Sequence, residues 1–444
     1  MKLFNRLVLA AILMAPVVAM GQTGSDMLPE PAFNWRCSSG NAVLNHNPAM
    51  RVTNGAMVFD SIPFAKDYTV IIVYKPVSDG EAGLWRLTSG DSVMRGLTTE
   101  RILTDSVSIR YASQTDGNPA INTLRQSWPS SMTSVPPFNG LPDSTTPLVR
   151  LAVGGDGVLD VAEVIYYGER LGNAVLRRIQ SQLAIRYGVT LGPVTYLDGA
   201  GGHIWEYADS GLYHHRVTGV GRDTLTGLRQ LRSRSEMEGS VLAIATDSLG
   251  DGSFLMVGDN DAPLVFGQDG DRERLQRSWR VQSTMTEGRL FTLVFDTRDM
   301  ATPGDSLALL VDDDVYLPDL FGGDSVVFTG VEFPTDSSLF TLGRGGGFWQ
   351  PSRDRARVGE GRDAPSRMAA WVYPNPTDGR YAIEVEGAVQ VTVTVYSEQG
   401  VVVATHRGAG HRRHRFEGEL PSGNVYYAVV STENGSQTMK LVVR

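Results

Sequence analysis

Short apolar runs, alternating or continuous, recur along most of the chain, with Gly, Asp, Asn and Pro between them. This is the pattern of many strands joined by tight turns. After an irregular stretch from residue 22 to about 50, Asn54-Gly55 marks a turn before Met57-Val58-Phe59. Thr69-Val70-Ile71-Ile72-Val73-Tyr74 is β-branched and unbroken by polar residues, which predicts a strand buried on both faces. Trp85-Arg86-Leu87, Val107 to Tyr111, Val149 to Val153 and Val161 to Tyr167 are further strands. One segment changes period. From Asn173 to Tyr187, Leu176, Ile179, Leu183 and Tyr187 share one helical face, Arg177, Arg178 and Arg186 lie mainly away from it, and Gly188 supplies a stop. This helix is expected to pack on the sheet it follows.

A second β-rich block occupies 193–348, with strands at Ile204-Trp205, Val241 to Ile244, Phe254 to Val257, Leu290 to Phe295, Leu307 to Val311 and Phe340 to Leu342. From Gln350 to Ser366 the only large aliphatic residue is Val358, too little apolar surface to offset the entropy of ordering, so 349–368 reads as a linker. Beyond it, Val391-Thr392-Val393-Thr394-Val395-Tyr396 alternates strictly. Val401 to Val403, Tyr426 to Val430 and Lys440 to Val443 complete the strands of a small β-sandwich.

The chain start changes the picture of location. Lys2 and Arg6 precede the apolar run Leu7 to Val18, and Ala19-Met20-Gly21 offers small residues for cleavage, so 1–21 reads as a secretory signal. At roughly 150 residues per domain, 444 residues suggest two or three domains. The net charge of -9 argues against a nucleic-acid partner, which would require a basic surface. A lone cysteine, Cys37, excludes internal disulfides in an exported chain and reads as a buried structural residue.

The search for chemistry finds little. A glycosidase needs two carboxylates about 5 to 9 Å apart. Asp160 and Glu163 point to opposite faces of a regular strand, and Glu236 and Glu238 sit in a turn-like stretch. No G-x-S-x-G elbow occurs, so no catalytic residue is assigned and a hydrolase is the secondary expectation. His214-His215 has no second ligand at helical spacing. Acidic turns recur at Asp247 with Asp251, at Asp259-Asn260-Asp261, at Asp269 with Asp271, and at Asp312, Asp313 and Asp314. They read as solvated turns, with Asp312 to Asp314 the first Ca²⁺ candidate and no other cofactor expected. Trp85 and Trp128 belong to a core or, if exposed, stack on sugar rings. The cluster of His406, Arg407 and His411 to Arg415 reads as a solvated loop or as a contact for anionic lipopolysaccharide.

Two resemblances add to this reading. Met57 to Asp60, Tyr68 to Lys75 and Asp160 to Tyr167, running into the helix ending at Gly188, are similar to a laminin-G or concanavalin-like jelly roll over 22–192. Gly219 to Asp223 and Trp279 to Val281 resemble a β domain that often follows such jelly rolls in surface proteins. Residues 369–444 resemble the type A sorting domain of the type IX secretion system. The matching positions are Tyr373, Pro374, Asn375, Pro376 and Gly379; then Gly400; then Leu420, Pro421, Gly423 and Tyr426; and the ending Lys440, Leu441, Val442 and Val443.

The resemblance implies an all-β chain: a concanavalin-like jelly roll, a second β-rich domain and a C-terminal immunoglobulin-like sandwich. It implies the type IX translocon and its sortase-like machinery as partners, a cut between Ala364 and Ala370, and attachment to surface lipopolysaccharide. The exported body is expected to be a binding or adhesion protein at the cell surface or in the extracellular space, with carbohydrate or glycoprotein ligands. A structural surface component without a soluble ligand is the remaining alternative.

Overall fold

A computed structural model describes residues 27–444 apart from 54, 91, 105–106, 112–116, 129–146, 270–271, 286–287, 301–306, 323, 335, 345–368, 374, 387–388, 398–401, 410–412, 422–423 and 433–434. The secretory segment 1–21 and the linker 349–368 lie outside these residues. The all-β class expected from the sequence holds. The chain divides into an N-terminal unit, residues to 317 and 328–345, and a unit carrying the C-terminal domain.

The N-terminal unit opens with two six-stranded antiparallel sheets packed face to face. In the first, Ala120–Gln126, Tyr68–Pro76, Leu159–Tyr167, Asn47–Val52 and Ala42–Leu44 lie side by side, and Phe33–Arg36 also pairs with Leu159–Tyr167. The second runs Gly55–Pro63, Leu148–Gly155, Gly83–Ser89, Ser92–Thr98, Arg101–Leu103, Ser108–Arg110. The continuous apolar run explains itself here. Val70, Ile72 and Tyr74 enter the core between the sheets with Trp85, Leu87, Leu151 and Val153. Ile71 and Val73 face the other way, onto Leu176, Ile179 and Leu183 of the helix Asn173–Tyr187. Trp85 is therefore a core residue, and Trp128 packs against the same core.

Three expectations are corrected. Residues 22 to 50 are not wholly irregular. They contain Phe33–Arg36, Ala42–Leu44 and the start of Asn47–Val52. The last two form a hairpin whose turn residues, Asn45 and His46, both adopt positive φ (46° and 64°). Such a turn gives no apolar signal, and Pro48 hides the strand.

The side of the helix away from its apolar face is not open either: Arg178 and Arg186 there are buried and Arg177 is half-buried. The second block covers the side of the helix turned from the sheet, packing Tyr196, Ile204, Trp205, Phe254 and Met256 on Ala184 and Ile185. The side-by-side Leu183-Ala184-Ile185 was the sign of a helix apolar on two sides.

Asp160 and Glu163, finally, share a face. A β-bulge between Val161 and Glu163 shifts the alternation by one residue. Val161 and Val164 point into the sandwich while Ala162 faces the helix, and Glu163 meets Tyr187 of that helix.

The helix ends at Gly188, in the left-handed region (φ 65°), where a Cβ would meet the Arg234 carbonyl at 2.3 Å. Its last carbonyls are taken up from outside. Asn45 Nδ2 donates to the carbonyls of Ile185 (2.8 Å) and Arg186 (3.2 Å) and to Ser233 Oγ (3.0 Å), while Asn45 Oδ1 accepts from Arg234 N (2.7 Å). Glu236 accepts from the Asn45 amide at 3.0 Å. One fully buried asparagine thus joins the first sandwich, the helix and the second block.

The second block is a sandwich of an eight-stranded and a five-stranded sheet. Trp279 stacks on Phe340 (5.6 Å) and meets Phe295 edge-on (5.3 Å), and Phe295 in turn meets Phe328 (6.0 Å). Gly219 and Gly221 allow Met256 and Phe254 to lie on the strand His215–Asp223, since a Cβ would stand 2.6 Å from Met256 Sδ and 2.4 Å from the Phe254 ring.

The C-terminal domain is an immunoglobulin-like sandwich. Its three-stranded sheet is Ala369–Tyr373, Arg380–Glu386, Arg413–Glu419. Its four-stranded sheet is Val402–Ala409, Gln390–Ser397, Asn424–Thr432, Gly435–Val443. Val391, Val393 and Val395 point into the core with Ala428, Val430, Leu441 and Val443, as strict alternation requires.

Candidate functional site

Part of the C-terminal motif is held on the last strand. The Asn375 side chain acts as a piece of strand: Nδ2 donates to the Lys440 carbonyl (2.6 Å) and Oδ1 accepts from Val442 N (2.9 Å). Thr377 continues the pairing, donating to the Val442 carbonyl and accepting from Arg444 N, each at 2.9 Å. Asn375–Pro376 is cis. Gly379 has φ 125°, and its carbonyl accepts from Leu420 N at 2.8 Å. Tyr426 donates to the Pro421 carbonyl at 3.3 Å, with Leu420, Tyr426, Leu441 and Val443 buried beneath. Tyr373 is held elsewhere, donating to Glu384 (2.5 Å) under the Arg415 guanidinium. Pro374, Gly400 and Gly423 lie outside the described residues.

Replacing Asn375 by Ala removes two hydrogen bonds worth roughly 0.5–1.5 kcal/mol each. The expected result is a C-terminal domain weaker by about 1–3 kcal/mol, measured by urea unfolding.

The basic cluster is strand rather than loop as far as it is described. Arg407 and Arg415 are exposed, whereas His406 and His414 pack on Phe416 at ring separations of 5.6 and 6.0 Å. His411 and Arg412 lie outside the described residues. Asp312 and Asp313 form the tight turn of a hairpin in which Val311 pairs with Asp314. Asp312 has φ 49°, and its carboxylate accepts from Leu339 N at 2.9 Å. Among the described residues no three His, Cys, Asp or Glu side chains gather as a metal site.

A different grouping was not legible in the sequence. An open cleft of about 450 Å³ in the N-terminal unit is bordered by Asn118, His214, His215, Arg216, Met237 and Glu238. Pairing of His215 with Asp259 brings the two histidines to the acidic turn, and a bulge between His215 and Thr218 re-aims the strand. Arg216 (φ 46°) and Asp261 (φ 56°) are both in the left-handed region. Arg216 grips Asp259 with two hydrogen bonds (2.7 and 2.6 Å) and also contacts Asp261.

Asp259 is thus buried, not part of a solvated turn. Although burial works against its charge, Arg216 is raised further by these carboxylates, and Asp261 is lowered by the Arg216 hydrogen bond. Arg277 donates to the carbonyls of Gly239 and Ala262, each at 2.7 Å. His214 stands between the rings of Tyr207 (5.2 Å) and His215 (4.4 Å). Burial pushes His215 below its ordinary value despite the nearby Asp261. Glu238 N donates to Asn118 Oδ1 at 2.7 Å, bridging the two blocks across the cleft. Arg216 and Asp259 are 43 positions apart and meet only through strand pairing, so no local pattern announces them.

Three of the four carboxylates considered for hydrolysis are engaged otherwise. Asp160 accepts a bidentate pair from Arg51 (2.8 and 2.9 Å). Glu163 accepts from Arg36 (3.0 Å), Tyr187 (2.8 Å) and Arg186 (3.5 Å). Glu236 is bound to Asn45 and Arg234.

Comparison with protein families places this geometry. Residues 371–444 match the family described as "Secretion system C-terminal sorting domain". Residues 175–334 match a domain of unknown function (DUF8202). The C-terminal domain is a type IX sorting domain, and the protein is exported by that system to the cell surface or the extracellular space. Among the described residues no helix is long and apolar enough to cross a membrane. A comparison with curated proteins returned no match.

Among solved structures, the chain is similar to a β-glucuronidase of Faecalibacterium prausnitzii (12% identity, 51% of this chain and 44% of that chain, TM-score 0.17). It is also similar to dimeric latent PorU of Porphyromonas gingivalis (9% identity, 85% and 30%, TM-score 0.21). The chain spans less than half the length of either, and at such TM-scores neither likeness carries an argument.

Proposed function

We propose that, once exported, the chain is cut ahead of its sorting domain by the sortase-like machinery of the secretion system. The remainder is then tied to surface lipopolysaccharide and works there as a binding or adhesion protein for carbohydrate or glycoprotein. The observation that carries this reading is the sorting domain at 371–444. The first strand of that domain supports a cut ahead of it. Ala369–Tyr373 pairs residue by residue with Ala382 to Glu386, and Ala370 is buried in the core. A peptidase needs an extended, accessible segment, so this pairing supports a cut ahead of the strand, within the span from Ala364 to Ala370. The two facing six-stranded sheets support the concanavalin-like reading of the first domain.

Mass spectrometry of the surface fraction tests the proposal. The expected product begins near Gln22, ends before Ala370 and carries a glycolipid adduct at its new C-terminus. A surface product that still carries 369–444 would overturn both release and attachment.

A further inference from the structure

We propose that the cleft between Asn118, His214, Arg216 and Glu238 is a binding site for a neutral oligosaccharide. The inference rests on the reading of this chain as a surface binding protein and gives that reading a site and a ligand class.

The backbone is the first indication. Two non-glycine residues in the left-handed region cost roughly 1–3 kcal/mol each and persist where the surroundings over-determine them. Arg216 and Asp261 are such a pair, and the ion network with Asp259 fixes both. Around them, a Cβ on Gly239 would stand 3.7 Å from Arg216 Nη1 and 3.8 Å from Arg277 Nη1. Two arginines thereby hold the Met237–Gly239 turn as one wall of the cleft.

The chemistry of the lining selects the ligand. An anion would find the positive charges already engaged. Arg216 is committed to Asp259 and Asp261, Arg277 to backbone carbonyls, and the carboxylates of Asp261 and Glu238 stand nearby. A metal ion would find no three ligating side chains among the described residues. An apolar ligand would strand the polar lining.

A sugar hydroxyl both donates and accepts, so it can use the Glu238 carboxylate as acceptor and the Asn118 amide nitrogen as donor at once. His214 and Met237 offer apolar surface for the CH faces of a sugar. The volume, about 450 Å³, lies within the roughly 300–1,000 Å³ of small-molecule sites.

The test is titration calorimetry of the purified full-length chain with maltotriose, cellotriose, xylotriose, mannotriose and N,N′,N″-triacetylchitotriose, and with trigalacturonate as the anionic comparison. At least one neutral trisaccharide is expected to bind. His214→Ala and Glu238→Gln are each expected to weaken it roughly tenfold, with an unchanged thermal midpoint. Binding of trigalacturonate alone, or of no panel member, overturns the ligand class. Binding that survives both substitutions overturns the site while leaving a surface binding function intact. Because the protein is assayed after purification, none of these outcomes depends on whether export and processing follow the proposed course.

Discussion

A chain stopped after Met368 is expected to stay inside the outer membrane in a folded state. The reasoning begins with the cores. The buried cluster of the sorting domain draws only on residues 370–443. The clusters of the first sandwich, the helix and its cover draw on residues 44–256. Removing the C-terminal domain takes away one core and leaves these three with every residue that forms them.

What is lost is the sorting domain that directs export. Within it, Asn375, Thr377 and Gly379 are held in place by hydrogen bonds to Lys440, Val442 and Leu420. Protease shaving of intact cells should therefore leave the truncated chain uncut. After cell lysis the same chain should resist limited proteolysis as the full-length body does. Residues 369–444 fused to a periplasmic reporter should carry the reporter to the surface. Shaving of the truncated chain on intact cells would show that export does not depend on this domain.

How much of this was legible depended on distance along the chain. The strand Tyr68–Pro76 announced its two buried faces because both are written into one β-branched run. The helix Asn173–Tyr187 announced itself by period and by Gly188. The sorting domain was legible because its marks come in order, although their reason was not. Nothing local says that the Asn375 amide completes the edge of a strand 65 residues away.

The cleft was illegible for the same reason, since Arg216 and Asp259 look like an isolated basic residue and an isolated acidic turn until strand pairing joins them. The bulge at Val161–Glu163 was illegible too. A one-residue insertion leaves the apolar run continuous while turning Glu163 to the helix side.

Glu163→Ala is expected to destabilise the N-terminal unit by about 3–5 kcal/mol, the range for leaving a buried ion-pair partner uncompensated. Glu163 is almost fully buried and so is Arg186, whereas Arg36 keeps nearly half of its side chain in solvent. Arg36 can therefore regain water when the carboxylate is removed, and Arg186 cannot. Tyr187 adds to the cost. Burial and the charge of Glu163 push its phenol up, so it stays a hydrogen donor and would lose its acceptor.

Glu163→Gln keeps a carbonyl oxygen for one donor and should lose less. Replacing Glu163 and Arg186 together by Leu removes both charges and should recover much of the loss, as apolar substitution of a whole buried pair does. Urea unfolding of the natural chain, Glu163→Leu, Arg186→Leu and the double Leu variant gives the coupling directly. The consequence extends beyond stability. Arg186 also donates to the Gly227 carbonyl of the second block at 3.1 Å, so the same network seats the helix against both neighbours. Asn118 and the Met237–Gly239 turn face each other because that helix is fixed between the sheets that carry them. A loss confined to the first sandwich, with the second block unfolding independently at its original midpoint, would mean that the helix does not couple the two.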